Sequence, residues 1–240
     1  MDDDAIPIAL PEVLEIDGSP GAPGLCLVWR FASVRRGISS SIVGGGIGSV
    51  SWALNMTVDD DYSRYDPDQH LLDTSDRLGL QGRGLAMMTA VAVSAFQTAD
   101  VDGAVACATV GVSRPVWAAD PSARRDEPRP DARRSPADAE FRPEVATARR
   151  PGTINLIVSL PTRLTDAALV NAVSTATEAK VQALLDAGVD GTGTASDAVA
   201  IVCAPDGPAE QFGGPLSTWG SRLALAVYDA TTAGITAQRA

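Results

Sequence analysis

The stretch PGTINLIVSL, residues 151–160, predicts the strand around which the rest of the chain is organised. In an extended backbone, alternate side chains point to opposite faces of a sheet. One face is apolar and is expected to pack against helices; it consists of Ile154, Leu156, Val158 and Leu160. The other face begins with Thr153 and Asn155, directly after a Pro-Gly break. Because Asn is depleted in strands, Asn155 favours a functional role on a face that borders a ligand cleft. The alternative is a polar strand face next to solvent, and for Thr153 the residue type alone favours it.

Further strands and helices are predicted on both sides of this stretch. Alternating or continuous apolar patterns indicate strands at residues 25–33, 50–58 and 103–112, and a glycine turn leads into another strand within 191–204. Helices are indicated from Asp66 to Gly79, over residues 165–187 with Thr165 as N-cap, and from near Pro215. Residues 84–96 fit a strand or a helix. Together these elements predict an α+β fold, a single domain of mixed β-sheets with helices packed on the outer faces.

The domain organisation follows from where the composition changes. Residues 1–24 are acidic and are predicted to be a mobile N-terminus. Residues 118–150 combine eight Arg with many acids and prolines, so they are predicted to be a flexible insertion. Residues 25–117 and 151–237 then form one α+β domain.

Bulk composition excludes several classes of protein. A net charge of −11 argues against nucleic-acid binding, which needs Lys and Arg to neutralise phosphates. No apolar run reaches the length of about 18 residues that a membrane span requires. Cys26, Cys107 and Cys203 are odd in number and far apart, which predicts free core thiols and a cytoplasmic location. Self-association is left open.

Metal and triad chemistry have little support in the sequence. His70 is the only histidine, it lies in a polar helix, and we interpret it as a surface residue. The cysteines lack the paired spacing of zinc ligands. We therefore predict no metal site, no protein-held cofactor and no Ser–His–Asp triad.

Four polar side chains are candidates for chemistry. Lys180 falls within the apolar arc of its predicted helix, so it either reaches the surface or holds a buried carboxylate. Asp197 stands at a glycine turn before an apolar strand and is the candidate partner; a turn cap is the alternative. Asn55 and Asn155 both lie in predicted strands, where Asn is disfavoured, which favours a functional role.

Glycine and hydroxyl residues recur in four segments: SSSIVGGGIGS, GTIN, GTGTASD and GGPLSTWG. Glycines allow close approach of ligands, and successive N–H groups at such turns can bind an anion. GGGIGS nearly matches a dinucleotide fingerprint, but a strand and not a helix is predicted to follow it.

Taken in order, the motifs resemble one known family. SSSIVGGGIGSVSWALNMTV, GLAMMTAV, TVGVSRP, PGTINLIV, STATEAK with ALLDAGV, GTASDAV and FGGPLSTWG resemble the adenosylcobinamide amidohydrolase family, CbiZ, over residues 35–232 apart from the insertion. Ser196 precedes Asp197 where the family shows a Gly-Thr-Gly-Thr-Asp-like turn, and here the GTGT stands just upstream.

The resemblance implies an intracellular hydrolase of cobalamin salvage that has a corrinoid as its substrate. Such enzymes cut the amide between the aminopropanol arm and the corrin ring, releasing adenosylcobyric acid. Two other functions remain open: a corrinoid-binding protein without turnover, and a nucleotide-binding enzyme that uses the glycine loops.

Amide hydrolysis can proceed by carboxylate-activated water or by hydroxyl attack with a base. We expect Asp197 to be the general base or an orienting carboxylate, and Lys180 to pair with it or protonate the leaving amine. Asn55 and Asn155, with N–H groups of the 44–46 loop, would stabilise the oxyanion. The second route would use Thr177 or Ser196 with Lys180. The expected substrate-binding residues are Gly44, Gly45, Gly46, Ser41, Thr89, Thr153, Gly193 and Thr194.

Overall fold

The computed structural model describes residues 10–16, 24–59, 61–120 and 152–239. The strands of this part of the chain are β1 (Glu12–Ile16), β2 (Gly24–Ser39), β3 (Gly46–Thr57), β4 (Leu85–Thr89), β5 (Gln97–Val101), β6 (Ala104–Val110), β7 (Ile154–Ser159), β8 (Arg163–Leu164), β9 (Ala198–Cys203) and β10 (Ala209–Glu210). The helices are α1 (Pro67–Arg77), α2 (Asp166–Asp186) and α3 (Thr218–Arg239), and a 3₁₀ turn covers Val93–Ala95.

Eight strands form one mixed sheet. Its order is β4-β3-β2-β9-β7-β6-β5, with β1 paired to β2. The β3–β4 and β7–β9 pairs are parallel, and the other pairs of this sheet are antiparallel. β8 and β10 make a separate short parallel pair. This mixed sheet with three helices confirms the predicted α+β class.

The sheet is bent so that its two halves face each other. The pairing of β2 with β3 shifts register between Arg30 and Arg35, and an irregularity of this kind bends and twists a strand. An inner apolar cluster joins Leu27 and Met87 from one half to Ile157 and Ala200 from the other. One continuous sheet therefore supplies both walls of the interior.

The helices cover the outside of these walls, as predicted. Leu169 of α2 and Leu223 of α3 lie in a cluster with the apolar face of β7. Leu71 of α1 packs with Trp52 and Leu54 of β3. The alternation predicted for the 151–160 stretch is confirmed, because the two faces of β7 belong to different clusters.

The ends of the helices show which local signals decide where a helix begins. The Thr165 side chain accepts a hydrogen bond from the Ala168 N–H at 3.2 Å, so α2 has the predicted cap. Asp66 precedes α1 but makes no cap bond; its carboxylate accepts from Arg64 instead. α3 starts at Thr218, slightly later than predicted, because the Ser217 side chain accepts the N–H of Gly220.

The structure assigns two segments that the sequence pattern left without a single element type. The hydroxyl- and glycine-rich residues 35–49 are mostly strand, and residues 40–45 alone connect β2 to β3. Glycine assists the pairing at Gly37, where a Cβ would lie 2.8 Å from the Ile201 carbonyl oxygen. Residues 84–96, which fitted either element type, contain β4 followed by the 3₁₀ turn.

The segment predicted as a mobile N-terminus contains one strand. Glu12–Ile16 pairs antiparallel with β2, from Glu12 opposite Val28 to Ile16 opposite Gly24. The remaining residues predicted as a mobile terminus, 1–9 and 17–23, lie outside the described part of the chain. Most of the predicted insertion, residues 121–150, also lies outside it.

Cys26, Cys107 and Cys203 are free and buried, as predicted. Burial raises the pKa of the Cys26 thiol to about 11, so it stays protonated at neutral pH. Within the described ranges, no helix combines the length and apolar character needed to cross a membrane.

Gly234 brings α3 close to β6 and provides a test of this packing. A Cβ at Gly234 would lie 2.5 Å from Val110 Cγ2 and 2.7 Å from Val110 Cβ. Gly→Ala in a helix interior normally stabilises by up to about 1 kcal/mol. We expect Gly234→Ala instead to lower the free energy of unfolding by about 1–3 kcal/mol, measured by urea denaturation.

The matched control is Ala233→Ser, at an exposed neighbour on the same helix. It should change the free energy of unfolding by less than about 0.5 kcal/mol. Stabilisation by Gly234→Ala would contradict the close contact between α3 and β6.

Candidate active site

Segments distant in sequence meet at one cavity of about 400 Å³. Residues 40–42 after β2, residues 87–90 at the end of β4, and Val58 after β3 contribute to its wall. The starts of β7 and β9 complete it with Thr153, Asn155 and residues 196–198. These segments therefore meet at one edge of the bent sheet, and the GGPLSTWG segment is not among those that line the cavity.

Asp197 is held by four hydrogen bonds. Its Oδ1 accepts from the Ile154 N–H at 3.0 Å and the Thr194 hydroxyl at 2.5 Å. Its Oδ2 accepts from Lys180 Nζ at 2.5 Å and the Thr194 N–H at 3.2 Å. A carboxylate has about four acceptor positions, so those of Asp197 are filled. This arrangement favours the orienting role over that of general base.

Lys180 is the buried partner that the helix pattern predicted. Its side chain is 7% exposed and that of Asp197 is 11% exposed, so the two charges compensate each other away from water. Gly193 makes room for the pair, because a Cβ there would lie 2.4 Å from Asp197 Oδ2 and 2.8 Å from Lys180 Nζ. Gly193 and Thr194 thus support the ion pair and do not line the cavity.

Two hydroxyls face the cavity beside this ion pair. Ser196 is exposed, and its Oγ lies 2.8 Å from Oγ1 of the buried Thr153. Both residues line the cavity, as expected for substrate contact or nucleophilic attack. Ser41 and Thr89 also line it, although the Ser41 hydroxyl donates to the Val43 carbonyl.

The two asparagines form a buried polar link between the sheet halves. Asn155 Nδ2 donates to Asn55 Oδ1 and to the Met88 carbonyl oxygen, each at 2.9 Å. Asn55 Nδ2 donates to Thr109 Oγ1 at 2.9 Å. The N–H groups of Asn155 are therefore engaged by the protein, which is at odds with the oxyanion role expected from the sequence.

The structure separates two of the expected elements from the cavity. Glycines 44–46 do not line it; the carbonyls of Gly44 and Gly45 accept from Arg83 instead. Gly44 and Gly46 have φ of +73° and +81°, so these glycines serve the turn between β2 and β3. Thr177 is exposed on α2, and its hydroxyl donates to the Val173 carbonyl.

Sequence reasoning missed two residues on the α1 side. Asp59 and Tyr62 line the cavity, and Asp59 is exposed with no hydrogen bond or ion pair to its carboxylate among the described residues. The Tyr62 hydroxyl lies 3.1 Å from Nδ1 of His70, and the two rings stack. The acidic residues that follow β3 were the signal available in the sequence, but their position next to the cavity depends on the bend of the sheet.

His70 is half-buried behind Tyr62 and is not the simple surface residue that the sequence indicated. Burial, with a smaller contribution from Arg64 and Arg77, lowers the pKa of His70 below 6.5. The imidazole is then mainly neutral at pH 7, and in the tautomer that carries its proton on Nδ1 it donates to the Tyr62 oxygen and leaves the phenol hydroxyl available to donate elsewhere. Burial raises the pKa of Tyr62, so its phenol stays protonated. No cluster of three metal-ligating side chains occurs in the part of the chain that is described.

The α+β fold places hydroxyl, carboxamide and carboxylate side chains around one cavity. These are the groups that a hydrolase uses for catalysis. Residues 12–240 match the family model for adenosylcobinamide amidohydrolase (CbiZ), so the chain belongs to this family. The match begins at β1, which extends the likeness beyond the motifs recognised in the sequence.

Two relatives named adenosylcobinamide amidohydrolase are similar along most of their length. The protein of Halobacterium salinarum is 31% identical over 225 residues, which cover 93% of this chain and 84% of the relative. That of Methanosarcina mazei is 27% identical over 214 residues, which cover 85% of this chain and 90% of the relative.

Removing one member of the buried ion pair tests its structural importance. Lys180→Met leaves the Asp197 carboxylate buried without its cation, so we expect the free energy of unfolding to fall by about 3–5 kcal/mol. Adding Asp197→Asn to Lys180→Met should recover part of this loss, because no unpaired charge then remains. Chemical denaturation of both variants measures these changes.

The exposed ion pair between Arg36 and Asp166 supplies the control, since Asp166 is 64% exposed. Arg36→Met should change stability by less than about 1 kcal/mol. Equal losses of stability for Lys180→Met and Arg36→Met would show that breaking the buried pair costs no more than breaking the exposed one.

Proposed function

We propose that this protein hydrolyses adenosylcobinamide at the amide between the aminopropanol arm and the corrin ring. The products are adenosylcobyric acid and aminopropanol. Family membership supports the substrate and the bond. The observation that carries the assignment to this cavity is the convergence of Ser196, Thr153 and the Asp197–Lys180 pair at one opening.

The space around the cavity suits a substrate larger than the cavity itself. A second cavity of about 630 Å³ adjoins it at Ala90 and is lined mainly by small apolar residues of β6, α3 and the 3₁₀ region. The amide arm then occupies the polar cavity, and the edge of the corrin ring extends over the apolar one. Small side chains on this path leave room for a wide macrocycle.

Amide hydrolysis needs a nucleophile, a base and a proton for the leaving amine. Ser196 and Thr153 are the hydroxyls that face the reacting carbon, to hold the attacking water or to attack through Ser196 Oγ. Asp197 orients this loop through its bonds to Ile154 and Thr194, and Lys180 forms an ion pair with its carboxylate.

Asp59 is the carboxylate that we assign as general base. Asp59 and Asp197 both line the cavity. The acceptor positions of Asp197 are filled, whereas those of Asp59 are unused by the described residues. Tyr62 stands beside it as a protonated phenol backed by the His70 imidazole, and it can donate a hydrogen bond to a developing charge. This division gives the site one structural and one reactive carboxylate.

We also propose that the protein acts in a reducing cytoplasm, which its free buried thiols tolerate. Its net charge of −11 supports a small-molecule substrate over nucleic acid.

The reaction itself is tested by mixing the purified protein with adenosylcobinamide and following the products by mass spectrometry. We expect adenosylcobyric acid and aminopropanol in equal amounts. Binding without product would instead support a corrinoid-binding protein. Thermal stabilisation by nucleotides but not by corrinoids would point to nucleotide chemistry.

The role of Asp59 is tested by Asp59→Asn. Removing a general base typically lowers turnover by about 10²–10⁴-fold, so kcat should fall by that factor while the melting temperature stays unchanged. Asp61→Asn is the matched control: it makes the same charge change at an exposed residue that does not line the cavity. Similar kcat values for Asp59→Asn and the wild type would refute the assignment.

A further inference from the structure

The orientation of the Asn155 side-chain amide is fixed by its neighbours. One end of the amide lies 2.9 Å from the Met88 carbonyl oxygen, which can only accept a hydrogen bond. That end must therefore be the NH₂ group. The same nitrogen donates to Asn55 Oδ1, and Asn55 is itself held by its bond to Thr109. Both N–H groups of Asn155 are thus used within the protein.

The other end of the amide is the unusual one. Asn155 Oδ1 is buried and accepts no hydrogen bond from the described residues. The residue as a whole is only 2% exposed, yet it lines the candidate active-site cavity. A buried acceptor without a donor is unfavourable and rare in folded proteins. The site therefore offers a fixed acceptor that a donor on a bound molecule can satisfy.

We propose that Asn155 Oδ1 accepts a hydrogen bond from the N–H of the scissile secondary amide. This inference rests on the proposed function and gives Asn155 the opposite role to oxyanion stabilisation. An oxyanion needs donors, and this side chain presents an acceptor once its N–H groups are engaged. Asn155 then contacts the nitrogen of the scissile amide, while the carbonyl oxygen of that amide faces the hydrogen-bond donors on the opposite side of the cavity.

The contact strengthens as the reaction proceeds. Water adds to the amide carbon and gives a proton to Asp59. The C–N bond then breaks with its electron pair going to nitrogen, which takes up that proton and leaves as the amine. Positive character on nitrogen makes its N–H a stronger donor, because charge-assisted hydrogen bonds are stronger than neutral ones. The acceptor thus contributes more at bond cleavage than in the bound substrate.

An ester analogue separates the two roles of Asn155. Replacing the amide N–H by oxygen in the substrate removes the donor but keeps the carbonyl, whose oxyanion still forms. For Asn155→Ala we expect kcat/KM on the amide to fall by about 10–100-fold, the range of a lost hydrogen bond to a group gaining charge. On the ester, kcat/KM should fall by less than about threefold. Equal losses on both substrates would overturn the proposal.

Asn155→Asp tests the amide orientation on which the proposal depends. It places a carboxylate oxygen against the Met88 carbonyl oxygen and Asn55 Oδ1, which both accept hydrogen bonds, so we expect it to lower the free energy of unfolding by more than Asn155→Ala does. Stability equal to that of the wild type would overturn this orientation and the proposal with it. Circular dichroism checks that both variants fold.

Asn171→Ala, at an exposed position of α2, is the control and should leave both substrates unaffected. A wild-type protein that forms no product from adenosylcobinamide would refute the proposed function instead. That outcome is distinct from a functional enzyme whose Asn155 variants lose both substrates equally.

Discussion

A hydrogen bond from Asn155 on β7 to Asn55 on β3 joins strands that stand three places apart in the sheet. Neighbouring strands are about 4.8 Å apart, so a flat sheet would separate these two by roughly 14 Å. The contact exists because the β2–β3 pair bends at its register shift and carries one half of the sheet over the other. The cavity lies where these halves meet, and its geometry therefore depends on this closure.

The opposite side of the cavity depends on a different kind of constraint. The loop before β9 is tied to α2 by Lys180 and to β7 by the Ile154 N–H, with Asp197 as the common acceptor. A buried ion pair is retained at a desolvation cost, and here it fixes the position of the exposed Ser196 next to it. Rigid placement of this hydroxyl is what the catalytic role proposed for Ser196 requires.

Local patterns in the sequence were sufficient for some of these features and not for others. The alternation of β7 and the lysine in an apolar helical arc depend only on neighbouring residues, so they predicted a two-faced strand and a buried Lys180–Asp197 pair. The hydrogen-bond pattern of Asn155 could not be predicted, because it depends on which distant groups accept from its N–H groups. Asp59 lies at the cavity only because the sheet is bent. Thr177 lies on the face of α2 that points away from the cavity.

The β6–β7 ladder ends with the Gly111 N–H donating to the Thr153 carbonyl at 2.9 Å. The two ends of the connection between these residues are therefore already brought together by the sheet. Closure entropy grows only logarithmically, by about 0.6 kcal/mol for each doubling of loop length. Related chains can consequently differ by tens of residues at this point while Thr153 and Asn155 keep their places, which makes it a natural position for evolutionary insertions.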